Sequence, residues 1–91
     1  MDIIEDWRQQ AESAYDEYRK RDCGTRIYTK DKICRRMESV IINMYINYLC
    51  LTKGSKIAGN HRRYVNKGER ERKDELNIII NEWHLNDIYK R

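Results

Sequence analysis

The sequence lacks the features that mark several common classes of protein. It has no proline, no Ser/Gly-rich linker and no internal repeat. Its longest apolar stretch, residues 40–51, is interrupted by Asn43 and Asn47, and a membrane-spanning helix needs about 20 apolar residues. We therefore expect no contact with a membrane. With 91 residues, the chain is predicted to form one domain, residues 1–91, because two cores would each be too small to be stable.

Signals for export and for metal binding are also missing. Residues 1–6 read MDIIED, which places acids where a signal or transit peptide carries positive charge. The cysteines, Cys23, Cys34 and Cys50, are odd in number and lack the spacing of a disulfide scaffold or a zinc site. We expect reduced thiols, with Cys34 and Cys50 partly in the core. We also expect a cytoplasmic location and neither a metal nor another cofactor.

No catalytic motif is present. The chain has no phosphate-cradling glycine motif, no nucleophile elbow and no triad pattern. Glu71 and Lys73 match the E-x-K tail of a restriction-type nuclease site, and Asn60-His61 weakly resembles an HNH-type element. Both chemistries need strands that carry the ligands and further acids that hold a metal. Because E-x-K stands here in a charged helical segment, we predict that the protein is not an enzyme.

What the sequence does contain is helical periodicity. Apolar residues recur at three- and four-residue steps over residues 2–22, acids occupy the first turn and bases the last, and Gly24 follows. A second helix is predicted over about 30–52, capped by Thr29 or Asp31 and ended by Gly54. Its β-branched and tyrosine content leaves a strand as the alternative. We predict an all-α fold with three main helices, at about 2–22, 30–52 and 67–90.

The last third of the chain is harder to interpret. Residues 53–68 show no clear period, so a short helix, a hairpin around Gly59 and an ordered loop all stay open; we expect an irregular basic connection. Asn66 and Glu69 are spaced like a capping box for the last helix. That helix carries apolar residues on two faces. Either it breaks near His84, or its second face contacts another copy or partner. We favour the second and predict a homo-oligomer that buries Ile78, Leu85 and Tyr89.

Positive charge is concentrated in one segment. The net charge is +4, and residues 53–73 contain eight Lys and Arg against two Glu. Clustered cations neutralise phosphates, and Asn, His and Tyr are suited to reading or stacking on bases. The predicted nucleic-acid-binding residues are Lys56, Asn60, His61, Arg62, Arg63, Tyr64, Lys67, Arg70 and Lys73. A helix-turn-helix is disfavoured by the roughly sixteen residues between the long helices. A short helix within 55–65 and a turn at Gly59 or Gly68 would restore it.

Two functions follow from these observations. The first is a non-catalytic nucleic-acid-binding or regulatory protein that uses residues 53–73 to contact DNA or RNA. The alternative is a protein-interaction module or small inhibitor that docks on an acidic surface of a larger partner, for which a nucleic-acid-binding protein is one option. The abundance of Ile, Asn, Lys and Tyr suits an AT-rich genome, and compact chains of this kind are common in phages and mobile elements.

Overall fold

Four α-helices make up most of the part of the chain that the structure describes. The computed structural model describes residues 2–25 and 31–89, and gives only the backbone at residues 25, 88 and 89. The helices are α1 (Ile3–Lys20), α2 (Lys32–Thr52), α3 (Ser55–Val65) and α4 (Glu69–Glu82), with short 3₁₀ helices at Cys23–Thr25 and Leu85–Tyr89. Residues 2–25 and 31–89 contain no strand. The all-α class is confirmed, whereas the predicted number of three main helices is wrong.

The two long helices begin at capping aspartates. The Asp2 carboxylate accepts a hydrogen bond from the Ile4 backbone N–H at 3.0 Å, and Asp31 accepts from the Ile33 N–H at 2.9 Å. Each bond satisfies one of the amide groups that a helix start leaves without a partner. Of the two predicted caps for α2, the structure uses Asp31, while Thr29 lies outside the described residues.

Helix α2 is the central element, and α1, α3 and α4 all pack against it. Its inner face contributes the fully buried Ile41 together with Ile42, Tyr45, Ile46 and Leu49. Ile79 of α4 is also fully buried, and Trp83 packs edge-on against Tyr45 with ring centroids 5.4 Å apart. Because α3 packs directly against α2, the buried α2 sets the position of α3. None of the helices in the described ranges combines the length and apolar character needed to cross a bilayer.

The predicted irregular connection is a helix. Residues 53–54 turn the chain, with Gly54 at φ 101°, a backbone angle that side chains rarely adopt. The eleven-residue α3 follows, and the turn 66–68 leads into α4. The sequence shows no clear period over α3, because the helix buries only two apolar residues, Ala58 and Val65, while Ile57 is exposed. The capping box is also wrong, since Asn66 caps the end of α3 and Gly68 precedes α4 without a side-chain cap.

The last helix ends at Glu82, well before the predicted residue 90. His84 takes a positive φ of 54° and redirects the chain, so Leu85 packs into the core with 0% of its surface exposed. The helix break left open by the sequence is therefore confirmed, and placing Leu85 on an exposed second face is wrong. Ile78 is 47% exposed. The side chain of Tyr89 lies outside the described residues.

Cys23 and Cys34 form a disulfide, which contradicts the prediction of reduced thiols. The return of the chain from α1 to α2 brings their Cα atoms to 5.6 Å, and both side chains are buried. Cys50 is a free and exposed thiol, so only Cys34 lies in the core as expected. Disulfides are typical of oxidising compartments. The cysteines therefore no longer support a cytoplasmic location.

Candidate nucleic-acid interface

One side of α3 carries positive charge toward solvent. Lys56, Asn60 and Arg63 follow at intervals of four and three residues, which places them on one helix face. Lys67 extends this face, because Asn66 keeps helical backbone angles. All four side chains are exposed, and none makes a hydrogen bond or ion pair with a described residue. We call these four residues the outer face of α3. Residues 53–68 include no acid.

Gly59 lies beside the outer face, at a position where the described structure does not require glycine. Gly59 is in the interior of α3, where glycine costs about 1 kcal/mol relative to alanine. A Cβ built at Gly59 would meet no atom within 4 Å, and its φ is not positive. Neither packing nor backbone geometry in the described protein therefore requires glycine here. Its effect is to leave the helix backbone open to close approach from outside.

The structure turns two of the predicted binding residues toward the protein itself. His61 Nδ1 lies 2.6 Å from Oε1 of the buried Glu75, and the His61 ring packs edge-on against Tyr45. Tyr64 donates a hydrogen bond from its hydroxyl to Asp74 Oδ2 at 3.2 Å, and 36% of its surface stays exposed. Both residues hold α3 against α4. They are not members of the outer face.

Lys73 is bound internally by a group of polar side chains around Glu38. The Glu38 carboxylate is 1% exposed, and its Oε2 lies 2.6 Å from Lys73 Nζ and 2.8 Å from the Tyr18 hydroxyl. Lys73 also donates to the Tyr18 hydroxyl and to the Cys23 carbonyl. Arg72 Nε lies 4.0 Å from Glu38 Oε1. We call Tyr18, Glu38, Arg72 and Lys73 the Glu38 network.

The Glu38 network connects α1, α2 and α4 through a carboxylate that is buried from solvent. Burial first, and then hydrogen bonding to Glu38, raise the pKa of Tyr18 well above its ordinary value, so the hydroxyl stays protonated. The sequence analysis missed Glu38 and Glu75. A signal was present for Glu38, because it is the one acid within Lys32–Thr52 and falls in step with the buried Cys34, Ile41 and Tyr45.

Arg70 lies apart from the outer face. It lines a groove of about 570 Å³ between α1 and α4, together with Arg19, Asp22 and Asp74. Lys73 also lines the groove but is paired with Glu38. The remaining charged lining has two bases and two acids, so its charge does not favour a polyanion. Arg62 is exposed and lines a smaller cleft against α2. No cluster of three potential metal ligands exists among residues 2–25 and 31–89.

Comparison of the chain with protein-family models, with curated proteins and with solved structures gives no significant match. The function has to be argued from the chemistry of the outer face and the elements that hold it.

Proposed function

We propose that the protein is a non-catalytic nucleic-acid-binding protein that places the outer face of α3 against a duplex. The observation that carries this proposal is the set of three cations, Lys56, Arg63 and Lys67, on one exposed face without an internal partner. Exposed cations that no protein carboxylate neutralises are available to phosphates. Asn60 lies among them and can read an adenine edge through two hydrogen bonds.

The shape of the outer face favours DNA over RNA. A helix of eleven residues is about 16 Å long, and the major groove of B-form DNA admits such a helix. The major groove of an RNA duplex is too narrow for side chains to read. Gly59, with open space in place of a side chain, suits a helix that approaches a groove wall closely.

The α2–α3 pair also has the order of a helix-turn-helix. A glycine-containing connection, residues 53–54, joins the central α2 to α3. In such motifs the second helix enters the groove and its first residues contact bases. The α3–α4 pair has a turn of suitable length at 66–68, but α4 begins with Glu69 and Glu71, which would repel phosphates. We therefore assign the groove-facing role to α3.

The test is duplex binding measured by fluorescence anisotropy as a function of salt. Binding should weaken steeply, with a slope of log K against log salt near −0.9 for each phosphate contacted. The double change Arg63→Ala and Lys67→Ala should flatten the slope by about two contacts. The control changes Lys32 and Arg36 to alanine, two exposed α2 cations, and should leave the slope almost unchanged. An affinity weaker than about 0.1 mM at low salt, or an equal effect of the control, contradicts the proposal.

A second candidate is a protein-interaction module. Its specific support is exposed apolar surface at Ile57 (43%), Tyr64 (36%) and Ile78 (47%). A partner with an acidic rim and an apolar centre would match these residues and the outer face together. Self-association through Ile78 stays a prediction, which light scattering tests against the chain mass of 11.2 kDa. Under this candidate, the protein does not bind a duplex. Affinity capture with this chain as bait should then retain a stoichiometric partner protein after nuclease treatment.

A further inference from the structure

A cleft of about 210 Å³ lies where α2, α3 and the start of α4 meet. Its apolar lining comes from Ile42, Ile46 and Val65, which are buried. Its polar lining consists of Ser39 and Asn43 from α2, Arg62 from α3, Asn66 from the turn and Arg72 from α4. None of the described residues that line the cleft is acidic. Every polar side chain in the lining can donate a hydrogen bond.

The two arginines make the cleft electropositive in different ways. Arg62 has no hydrogen bond or ion pair with a described residue and is exposed, so its guanidinium is free to bind. Arg72 is held by two carboxylates, with Nε 4.0 Å from Glu38 and a terminal nitrogen 3.5 Å from Glu69.

These two carboxylates leave Arg72 incompletely neutralised. Glu38 already has Lys73 at 2.6 Å, and Glu69 accepts a hydrogen bond from Arg35 Nε at 3.2 Å. Each acid is therefore closer to another cation than to Arg72. Positive charge therefore remains at the cleft, which is lined by Arg62, without a described partner, and by Arg72, which contacts two carboxylates.

We infer that this cleft binds a phosphate group. Guanidinium forks match the oxygens of a phosphate, and the hydroxyl of Ser39 with the side-chain amides of Asn43 and Asn66 supplies further donors. A phosphodiester of a duplex and the phosphate of a small phosphorylated ligand present the same chemistry. The duplex source rests on the proposed function, because Arg62 directly precedes Arg63 of the outer face and lies about 100° around the helix from it. A phosphate in the cleft would fix one strand at the α2 edge of that face.

The chain offers a matched pair of variants. Arg62→Ala removes a cation from the cleft, and Arg63→Ala removes one from the outer face of the same helix. The loss of charge is the same, and both side chains are exposed. Arg72 is not suited to this purpose, because its removal disturbs the Glu38 network. Arg62→Lys keeps the charge but loses the fork.

The experiment is a ¹H–¹⁵N NMR titration with inorganic phosphate, compared with sodium chloride at equal ionic strength. We expect saturable shifts at the side-chain amides of Asn43 and Asn66. The dissociation constant should rise about tenfold or more in Arg62→Ala, recover in part in Arg62→Lys, and stay within twofold in Arg63→Ala. Shifts that are linear in phosphate, or equal in Arg62→Ala and Arg63→Ala, overturn the inference.

Duplex binding of the same variants separates this inference from the proposed function. If phosphate saturates the cleft while the duplex does not bind, the cleft stands with a small phosphorylated ligand and the proposed function fails. If the duplex binds while phosphate causes no saturable shift, the cleft fails and the proposed function stands.

Discussion

The basic segment divides into two regions whose cations behave differently. On α3, Lys56, Arg63 and Lys67 are exposed and without a described partner. On α4, Lys73 reaches the buried Glu38 and the hydroxyl of Tyr18. Both regions are rich in Lys and Arg, and the sequence does not show which of these cations pair with distant carboxylates. A cation's availability to a ligand depends on carboxylates that the fold brings from distant positions.

The difference has a direct physical origin. Glu38 lies on the inner face of α2, where an unpaired carboxylate would be very costly. Packing of α4 against α2 supplies Lys73, which is 17% exposed at the side chain. The outer-face cations form no ion pair with an acid among the described residues. We therefore expect changes in the Glu38 network to alter folding and changes in the outer face to alter binding.

The largest expected effect comes from breaking the Glu38 network. Lys73→Ala leaves the buried Glu38 carboxylate with the Tyr18 hydroxyl as donor and Arg72, at 4.0 Å, as its remaining described cation. Loss of one partner from a buried pair costs about 3–5 kcal/mol. We expect the free energy of unfolding to fall by about 3 kcal/mol in urea titrations. Lys67→Ala removes the same residue type from the outer face and should change stability by less than about 0.5 kcal/mol. Equal effects of the two changes would remove the distinction between the regions.

The second largest expected effect comes from reducing the disulfide next to the Glu38 network. The bond between Cys23 and Cys34 closes a loop spanning eleven positions, for which the loop-entropy model gives a stabilisation of about 2–3 kcal/mol. Reduction by a dithiol should lower the free energy of unfolding by that amount, in a Cys50→Ser background that removes the exposed free thiol. Thiol titration of the folded, unreduced wild-type protein should give one thiol per chain. Three thiols would contradict the bond.

A change at Gly59 tests the outer face through a variant that should gain stability and lose binding. Gly59→Ala should raise the free energy of unfolding by about 0.5–1 kcal/mol, because alanine favours the helix and the added Cβ meets open space. It should also weaken duplex binding if the helix backbone approaches the groove wall. Gly54→Ala is the control, since its φ of 101° makes the same change destabilising. A stabilised Gly59→Ala protein with unchanged duplex affinity would leave the glycine without a role in binding.

How much of the structure the sequence could predict depends on how far apart along the chain the interacting residues are. Helices α1 and α2 were predictable because their caps and apolar periods are local. The position of Leu85 was not, because the break depends on the positive φ of His84 and on a core that receives the chain. The disulfide and the Lys73–Glu38 pair join residues 11 and 35 positions apart. The four outer-face residues were among the predicted binding residues, but the sequence could not separate them from His61 and Lys73, because that separation depends on α3 and on the buried acids Glu75 and Glu38.

The smallest expected effect lies at the border of the two regions, at Glu69. The hydrogen bond from Arg35 holds the pKa of the Glu69 carboxyl below its usual value, and nearby Arg72 and Lys73 act in the same direction. A carboxyl with a lowered folded-state pKa adds stability that is present above its unfolded pKa and is lost as pH falls through the folded pKa. The effect is small, because exposed ion pairs contribute little. Between pH 7 and pH 3, the urea midpoint of Glu69→Gln should fall less than that of the wild type, and Arg35→Ala should behave like Glu69→Gln. If both variants keep the full wild-type dependence on pH, the Arg35–Glu69 contact does not contribute to the acid sensitivity of the fold.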